Sequence, residues 1–367
     1  MKQARQGQLA GLAAALLFGC SAPLISTLTG RGSALSIAGL LYAGAAVALL
    51  IVRVLRGAAH DETAVQRRDA PALVFLIALG GIVGPVALVL GLARLPAAAS
   101  SLLLNLEAVF TLAIAVLVGR EHLGQRGATA AALTIAGAVV LSDGSLNGAN
   151  GLGVALIALA TLAWGIDNNL SQRLSLRDPL QIASFKALGA SLPMLLLALL
   201  LGHAFPSAPV TVALLLIGAL GYGLSIWLDL LALRALGAAR EAVIFSAAPF
   251  VGAVFSLAVL REPLTLNLLL AAGLMGAGVV LLLREEHSHW HHHQALRHSH
   301  RHRHDPRNGD LHHEHEHSLQ ELKGIDANRP YWHAHEHSHV PNAHAHPHVS
   351  DAHHRHRHWI GSSKRDT

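Results

Sequence analysis

The chain of 367 residues is 52% hydrophobic and only 13% charged, with a mean hydropathy of +0.44. That is more apolar surface than a water-soluble domain can bury, so a soluble enzyme or binding module is excluded in favour of a chain solvated by lipid. The formal charge of +5 sits in connecting segments and in the tail, so it says nothing about nucleic acid.

The solvent changes along the chain. Up to about Leu283 the sequence is almost continuously apolar, and beyond Arg284 it is polar and rich in histidine. A bilayer core of about 30 Å asks for about 17 to 25 apolar residues per helix. Ten such spans are predicted, at roughly 8–27, 34–54, 72–92, 98–118, 127–142, 151–170, 179–201, 210–233, 241–260 and 266–283. The first carries Lys2 and Arg5 ahead of an apolar run, as a signal peptide would, but no small-residue cleavage site follows, so it reads as a helix. The single cysteine, Cys20, lies inside it and reads as a small buried residue.

Arginine and lysine orient these spans. With the N-terminus inside, the inner segments hold Lys2, Arg5, Arg53, Arg56, Arg67, Arg68, Arg120, Arg126, Arg173, Arg177, Arg234 and Arg240. The outer ones hold Arg31, Arg94 and Arg261. Basic residues concentrate on the cytoplasmic side, so both termini are expected there, in a bacterial cytoplasmic membrane.

The stretch Leu95 to Leu141 occurs twice, lying without a gap on Leu236 to Leu282. Arg120, Glu121 and Leu123 fall on Arg261, Glu262 and Leu264, and Leu95, Ala97 and Ala98 fall on Leu236, Ala238 and Ala239. Alanine and leucine matches are cheap in an apolar chain, but two ungapped Arg-Glu-x-Leu coincidences are not. Phe18-Gly19 likewise echoes Trp164-Gly165. Five helices per copy is an odd number, so the two copies are expected upside down relative to each other. Inverted repeats of this kind build secondary transporters with the substrate path at the repeat interface. The predicted fold is an all-α integral membrane protein of ten transmembrane helices, as two inverted five-helix repeats (1–146 and 147–284), followed by a disordered histidine-rich tail (285–367).

The run from Leu92 to Glu107, through Leu95-Pro96-Ala97-Ala98-Ala99-Ser100-Ser101, closes with Gly119-Arg120-Glu121 and resembles the EamA repeat of the drug/metabolite transporter superfamily. The second copy carries Pro249 and Arg261-Glu262-Pro263 at the matching places. Ala108 stands where that family has proline, and Ala248 where it has glutamate. The resemblance covers about residues 8–283 and implies a ten-helix inner-membrane carrier, usually an exporter, without an ATPase domain.

Ionisable side chains at bilayer depth cost about 2.5–3.5 kcal/mol each on insertion scales and mark functional sites by default. Glu107, with Asn105 close by, lies near the middle of the fourth span. Asp167, Asn168 and Asn169 form a polar cluster in the sixth, Lys186 is about two turns into the seventh, and Ser225 and Asp229 lie near the inner end of the eighth. At a shared depth, the Asp167 cluster, Lys186 and Asp229 would line one inward-facing vestibule whose carboxylates and asparagine oxygens take up a cation or a proton, with Glu107 carrying it past the midplane. Alternatively, Lys186 neutralises an aspartate in a structural ion pair, and Glu107 ties helices together. Gly84-Pro85, Gly221-Tyr222-Gly223 and Pro249 are places where helices can bend.

Of the 27 histidines, 24 lie between His287 and His358, and they alternate with other residues. The expected metal ligands are His298, His300, His302, His304, His313, His315, His317, His333, His335, His337, His339, His344, His346, His348, His353, His354, His356 and His358. Neutral imidazole suits nickel, copper, zinc and cobalt. With no partner cysteines this reads as a loose multi-ion buffer, on a segment without the apolar period needed for a core.

The expected function is export of a small solute, foremost a divalent transition metal (nickel or cobalt) by proton antiport. The alternative is an amino acid or other small metabolite, with the tail as metal sensor or buffer. No cofactor is required for transport; nickel, cobalt or zinc would be bound by the tail. The expected partners are the lipid bilayer, a small solute or metal cation, and a proton as coupling ion, with no nucleic acid and a homodimer left open. No nucleotide loop, HExxH or nucleophile–base motif suggests an enzyme.

Overall fold

The computed structural model describes residues 2–56, 64–118, 124–142, 149–171, 174, 177–236 and 244–283, and four strands of the tail. Apart from short connections, the apolar part is helical in these residues. In chain order the helices are α1 (Lys2–Ser26), α2 (Ala34–Arg56), α3 (Ala70–Leu76), α4 (Gly84–Leu92), α5 (Ala97–Leu103), α6 (Leu106–Leu117) and α7 (Gln125–Leu141). They continue as α8 (Ala149–Ser171), α9 (Pro179–Leu200), α10 (Ala208–Gly218), α11 (Ser225–Leu236), α12 (Ala248–Ala258) and α13 (Leu266–Leu283). Eight stretches are long and apolar enough to cross a membrane: Arg5–Ser26, Ala34–Leu55, Arg67–Leu92, Ala97–Leu117, Gly151–Ser171, Pro179–Leu200, Ala208–Ala232 and Leu266–Leu283. Gln125–Leu141 and Ala248–Ala258 are apolar but shorter.

Burial is inverted relative to a soluble bundle. Val54, Leu55, Leu199, Leu200 and Leu266 stand exposed, whereas Ala14, Ala22, Ala38, Ala45, Ala160 and Ala190 are buried. Lipid tails solvate leucine as well as a protein interior does, so small residues that let backbones approach are what helix contacts select. The tightest approach is between α2 and α10, where Gly44 faces the Leu215 carbonyl and Gly218 faces the Leu41 carbonyl.

Contacts between the two copies are reciprocal. Helix α1 packs on α11 and α12, and its counterpart α8 packs on α4 and α6. Helix α2 packs on its own counterpart α9, and α7 on α13. These equivalent helices run antiparallel. The start of α2 meets the end of α9 through Ser33 N–H and Ser36 Oγ, which donate to the Ala204 carbonyl at 3.1 and 3.0 Å. At the other end, Val65 N–H donates to Gln181 Oε1 at 2.7 Å, and Arg177 Nε pairs with Asp69 at 2.7 Å. Along α7, Gly137 lies against Met275 while Thr134 lies against Gly278.

Two irregularities interrupt the helices at matching places. Ile77–Val83 and Ala219–Leu224 are π-helical segments, and the shift that superimposes the copies carries Leu79-Gly80 onto Leu220-Gly221. In the first, Pro85 immediately downstream has no N–H to continue the ladder, which favours a bulge. The second has no proline and carries glycine at 221 and 223 instead. The helix that follows is broken as well, by a turn at Leu104–Asn105 in one copy and at Ser246–Ala247 in the other. The fourth span expected over 98–118 is found as Ala97–Leu117, built from two helices, α5 and α6.

One boundary differs from the sequence reading. Helix α11 runs to Leu236, which sets Asp229 about two turns from its end rather than one. In the tail, β1 (His287–His293) pairs antiparallel with β4 (Asn342–His348), and β2 (Leu296–His304) with β3 (Tyr331–His339). His313, His315, His317, His353, His354, His356 and His358 lie outside the described residues, as do Arg120 and Glu121.

Candidate functional site

The π-helical turn in the first copy leaves the Gly80 carbonyl outside the regular helical ladder. It accepts from Tyr42 Oη at 2.9 Å and from Trp164 Nε1 at 3.0 Å, both buried. Irregular backbone at membrane depth is tolerated where protein groups satisfy it, and here α2 and α8 supply both donors. Gly80 also makes room for Asp167, since a Cβ at that position would sit 2.9 Å from the Asp167 Cβ. Sequence reasoning missed Tyr42 and Trp164, although the repeated Trp164-Gly165 pair pointed at the second of them.

Asp167 is 6% exposed. Its Oδ2 accepts from Lys186 Nζ across the α8–α9 contact, and its buried Oδ1 has no hydrogen-bond partner among the described residues. A buried carboxylate oxygen without a donor is costly, and such orphans in native folds ask for an explanation. Beside it, Asn168 Nδ2 donates to Glu107 Oε1 at 2.8 Å and reaches Thr111 Oγ1 at 3.4 Å. Glu107 opens α6 directly after the helix break. Four of the sequence-predicted residues thus converge at the junction of α6, α8 and α9: Glu107, Asp167, Asn168 and Lys186. They offer two carboxylates, one ammonium and one amide.

The other candidates do different work. Asn169 Nδ2 donates to the Thr111 carbonyl at 3.0 Å and the Gly165 carbonyl at 2.9 Å, which pins α8 to α6. Asn105 is buried in the broken turn, where its Nδ2 donates to the Leu102 carbonyl at 2.8 Å. Ser225 is not part of the charged cluster; its hydroxyl donates to the Gly221 carbonyl and secures the second π-helical segment. Asp229 sits on α11, whose main partner is α1.

A second feature links the copies. Glu262, from the repeated Arg-Glu pair of the second copy, accepts from Ala97 N–H at 2.7 Å and Ala98 N–H at 2.8 Å. Ala97 and Ala98 begin α5 in the first copy, where helical N–H groups lack partners and a carboxylate is favoured. Arg261 holds φ at 57°, a left-handed conformation costing a non-glycine residue about 1–3 kcal/mol, and it turns the chain so that Glu262 faces this helix end. Removing the carboxylate in Glu262→Ala is expected to destabilise the protein by about 1–2 kcal/mol. Glu262→Gln should lose less, since one acceptor remains. Thermal unfolding of the purified protein in detergent checks both, and equal midpoints for all three proteins would refute the clasp.

Comparison with known proteins follows this geometry. The EamA-like transporter family model matches residues 5–143 and again residues 151–284. An uncharacterized transporter of Methanothermobacter thermautotrophicus is 26% identical over 294 residues, covering 75% of this chain and 85% of that protein. A probable amino-acid metabolite efflux pump of Salmonella typhimurium is 33% identical over 113 residues, which is 29% of this chain and 38% of the pump. A protein of known crystal structure superposes with a TM-score of 0.57 at 17% identity, over 75% of this chain and 96% of its own; it shares the fold.

Proposed function

The chain belongs to the EamA-like transporter family of the drug/metabolite transporter superfamily, and from that premise we propose that it exports a small solute bearing both an amine and a carboxylate, an amino acid or a close metabolite. It is a multi-pass membrane carrier of small solutes; the cargo class and the outward direction are our reading. One observation carries the cargo class. Lys186 and Asp167 place an ammonium beside a carboxylate that has a spare buried oxygen. A zwitterion can insert into such a pair, its carboxylate toward Lys186 and its ammonium toward Asp167 Oδ1, with Glu107 and Asn168 next along the path. Charge-assisted hydrogen bonds of this kind are the strong ones. Similarity to part of an amino-acid metabolite efflux pump supports the same reading.

We further read the ten apolar stretches as ten crossings in two inverted halves, in a bacterial cytoplasmic membrane with both termini inside. The antiparallel packing of α2 on α9 and of α7 on α13 supports the inverted arrangement of the halves. Matching helix breaks near the interface between halves are where carriers of this kind hold substrate.

A second reading, nickel or cobalt export by proton antiport, is favoured by the 24 histidines between His287 and His358. Against it stands the Lys186 ammonium, which repels a divalent cation from Asp167. The two separate in cells expressing the full protein, the Asp167→Asn variant and a chain ending at Glu286. Amino-acid export lost in Asp167→Asn but kept without the tail supports the first reading. Lower nickel or cobalt accumulation that needs both Asp167 and the tail would replace it with the second.

A further inference from the structure

Helix α6 has two unlike faces. At about 100° per residue, Glu107 and Thr111 lie on one side, where they meet Asn168 and Asn169 of α8. Asn105, Val109 and Leu112 lie on the opposite side, toward α7 and α13. Helix α6 packs closely on α8 but only lightly on α7, and the space left on that side is a crevice. Val109 and Leu112 of α6, Ala131 and Thr134 of α7, and Gly278 and Leu282 of α13 wall it, with Asn105 at one end. It encloses about 260 Å³, its mouth included.

The duplication shows what this space lacks. The shift that superimposes the copies carries Val109 onto Phe250 and Thr134 onto Met275. In the second copy these larger side chains cover the equivalent ground. The Phe250 ring lies against α13, 3.8 Å from where a Cβ on Gly276 would stand, and Met275 Cγ lies 2.7 Å from the place of a Cβ on Gly137. Reciprocally, the residue over Gly278 is Thr134, whose Oγ1 lies 2.7 Å from the place of a Cβ there. Where the second copy has a ring and a thioether chain, the first has an isopropyl group and a short hydroxyl side chain. Thr134 Oγ1 donates to the Ala130 carbonyl at 3.0 Å and Asn105 Nδ2 to the Leu102 carbonyl at 2.8 Å. These donors turn back onto their own helices and give water little to hold. An apolar space of this kind stays dry and accepts an apolar guest.

The surroundings name the guest. Val109, Leu112, Ala131 and Leu282 are only half-buried, so the crevice is open on its outer side. Helix α6 belongs to the span Ala97–Leu117 and α13 is the span Leu266–Leu283, so what stands outside is hydrocarbon. From Asn105 to Leu112 the crevice follows α6 for about 10 Å, upright in the bilayer rather than across it. Its far end points toward Gln125 and Arg126, both exposed where α7 begins, and basic residues of this kind mark the headgroup level. We infer that the crevice is a lipid site: one acyl chain of a phospholipid enters it from the leaflet at the Gln125 end of α7 and stands in for Phe250 and Met275 of the other copy. The chain fills the gap between α6 and α7 and so backs α6 against α8, behind Glu107. This goes beyond the export reading and holds whichever solute is carried.

The test reads contact with lipid directly. The full-length protein is reconstituted in vesicles of phosphatidylethanolamine and phosphatidylglycerol, doped with a phospholipid whose acyl chain carries a diazirine. After irradiation, adducts are mapped by peptide mass spectrometry. They should gather on Leu112, Ala131 and Leu282 in preference to Val47 and Ile51, which stand exposed on α2. Introducing the side chains of the second copy, Val109→Phe with Thr134→Met, should lower labelling of the crevice by about tenfold and leave that of α2 unchanged. Equal labelling of α2 and the crevice in the parent protein would overturn the site without recourse to any variant, as would undiminished labelling in a folded double variant. Crevice labelling that an added amino acid competes away would also overturn it and give the space to the carried solute. Labelling that appears only at low protein density would give it to a second copy of the chain. No readout here is export, so the lipid site and the export reading stand or fall separately.

Discussion

Asp167→Asn is expected to lower solute export about a hundredfold while the protein still inserts in the membrane. The carboxylate is buried, carries the partnerless Oδ1 and meets Lys186 through Oδ2. A charge-assisted hydrogen bond contributes about 1.5–3 kcal/mol, and every 1.4 kcal/mol or so is tenfold in affinity; replacing the anion with an amide removes that grip on a cationic group. The same substitution also leaves Lys186 without its counter-charge. Removing one partner of a buried pair costs about 3–5 kcal/mol, whereas replacing both with apolar groups is often neutral. The decisive comparison is therefore Asp167→Asn with Asp167→Asn plus Lys186→Met. The double variant should regain the thermal stability of the parent protein and still not export. If it exports at the parental rate, the pair is a structural tie and the solute binds elsewhere. Lys186→Met alone should be the least stable of the set, because it leaves a buried carboxylate bare.

Much of this cluster was legible before any coordinates, for a simple reason. A charged residue in an apolar run has few excuses, so Glu107, Asp167 and Lys186 stood out by composition alone. Their convergence at α6, α8 and α9 follows from the same fact, since each needs a polar neighbour away from lipid. Residues with ordinary excuses were harder to read. Serine in a helix often bonds back to its own preceding turn, and Ser225 does so with Gly221. Tyr42 and Trp164 look apolar in a sequence but each brings a polar group to the Gly80 carbonyl.

The duplication was equally plain from Arg-Glu-x-Leu occurring twice, yet the role of that motif was not. Glu262 meets Ala97 and Ala98, the other twice-repeated element, only because equivalent helices of the two copies run antiparallel, which brings the connection between α12 and α13 of one copy to the start of α5 in the other. Matches within a copy carry no trace of contacts between copies. The π-helical segments were hidden for a related reason. Proline can explain the first, but the second forms over Ala219–Leu224 from glycine and packing, and glycine is common in membrane helices for many purposes.

Gly44→Ala should destabilise the fold by more than about 3 kcal/mol, although helix propensity alone predicts the opposite sign. Within a helix, alanine is better than glycine by about 0.8–1.0 kcal/mol, and Gly44 lies in the middle of α2. There a Cβ would run into the Leu215 carbonyl oxygen, 2.8 Å from its carbon and 3.0 Å from Ala219 N. These are backbone atoms of α10 and of the π-helical segment that follows, so no side chain can rotate away. The reciprocal substitution Gly218→Ala would place a Cβ 2.7 Å from the Leu41 carbonyl carbon and should cost as much. Overpacking against yielding side chains costs about 1–3 kcal/mol, and contact with main chain should exceed that range. Gly273→Ala in α13 is the control, because nothing lies within 4 Å of a Cβ there and propensity should act alone. The expected order of thermal midpoints in detergent is Gly273→Ala at or above the parent, with Gly44→Ala and Gly218→Ala far below it. Because this crossing joins a helix of the first copy to the bulged helix of the second, its failure should also abolish export. A Gly44→Ala protein as stable as the Gly273→Ala protein would mean that α2 and α10 do not approach at these glycines.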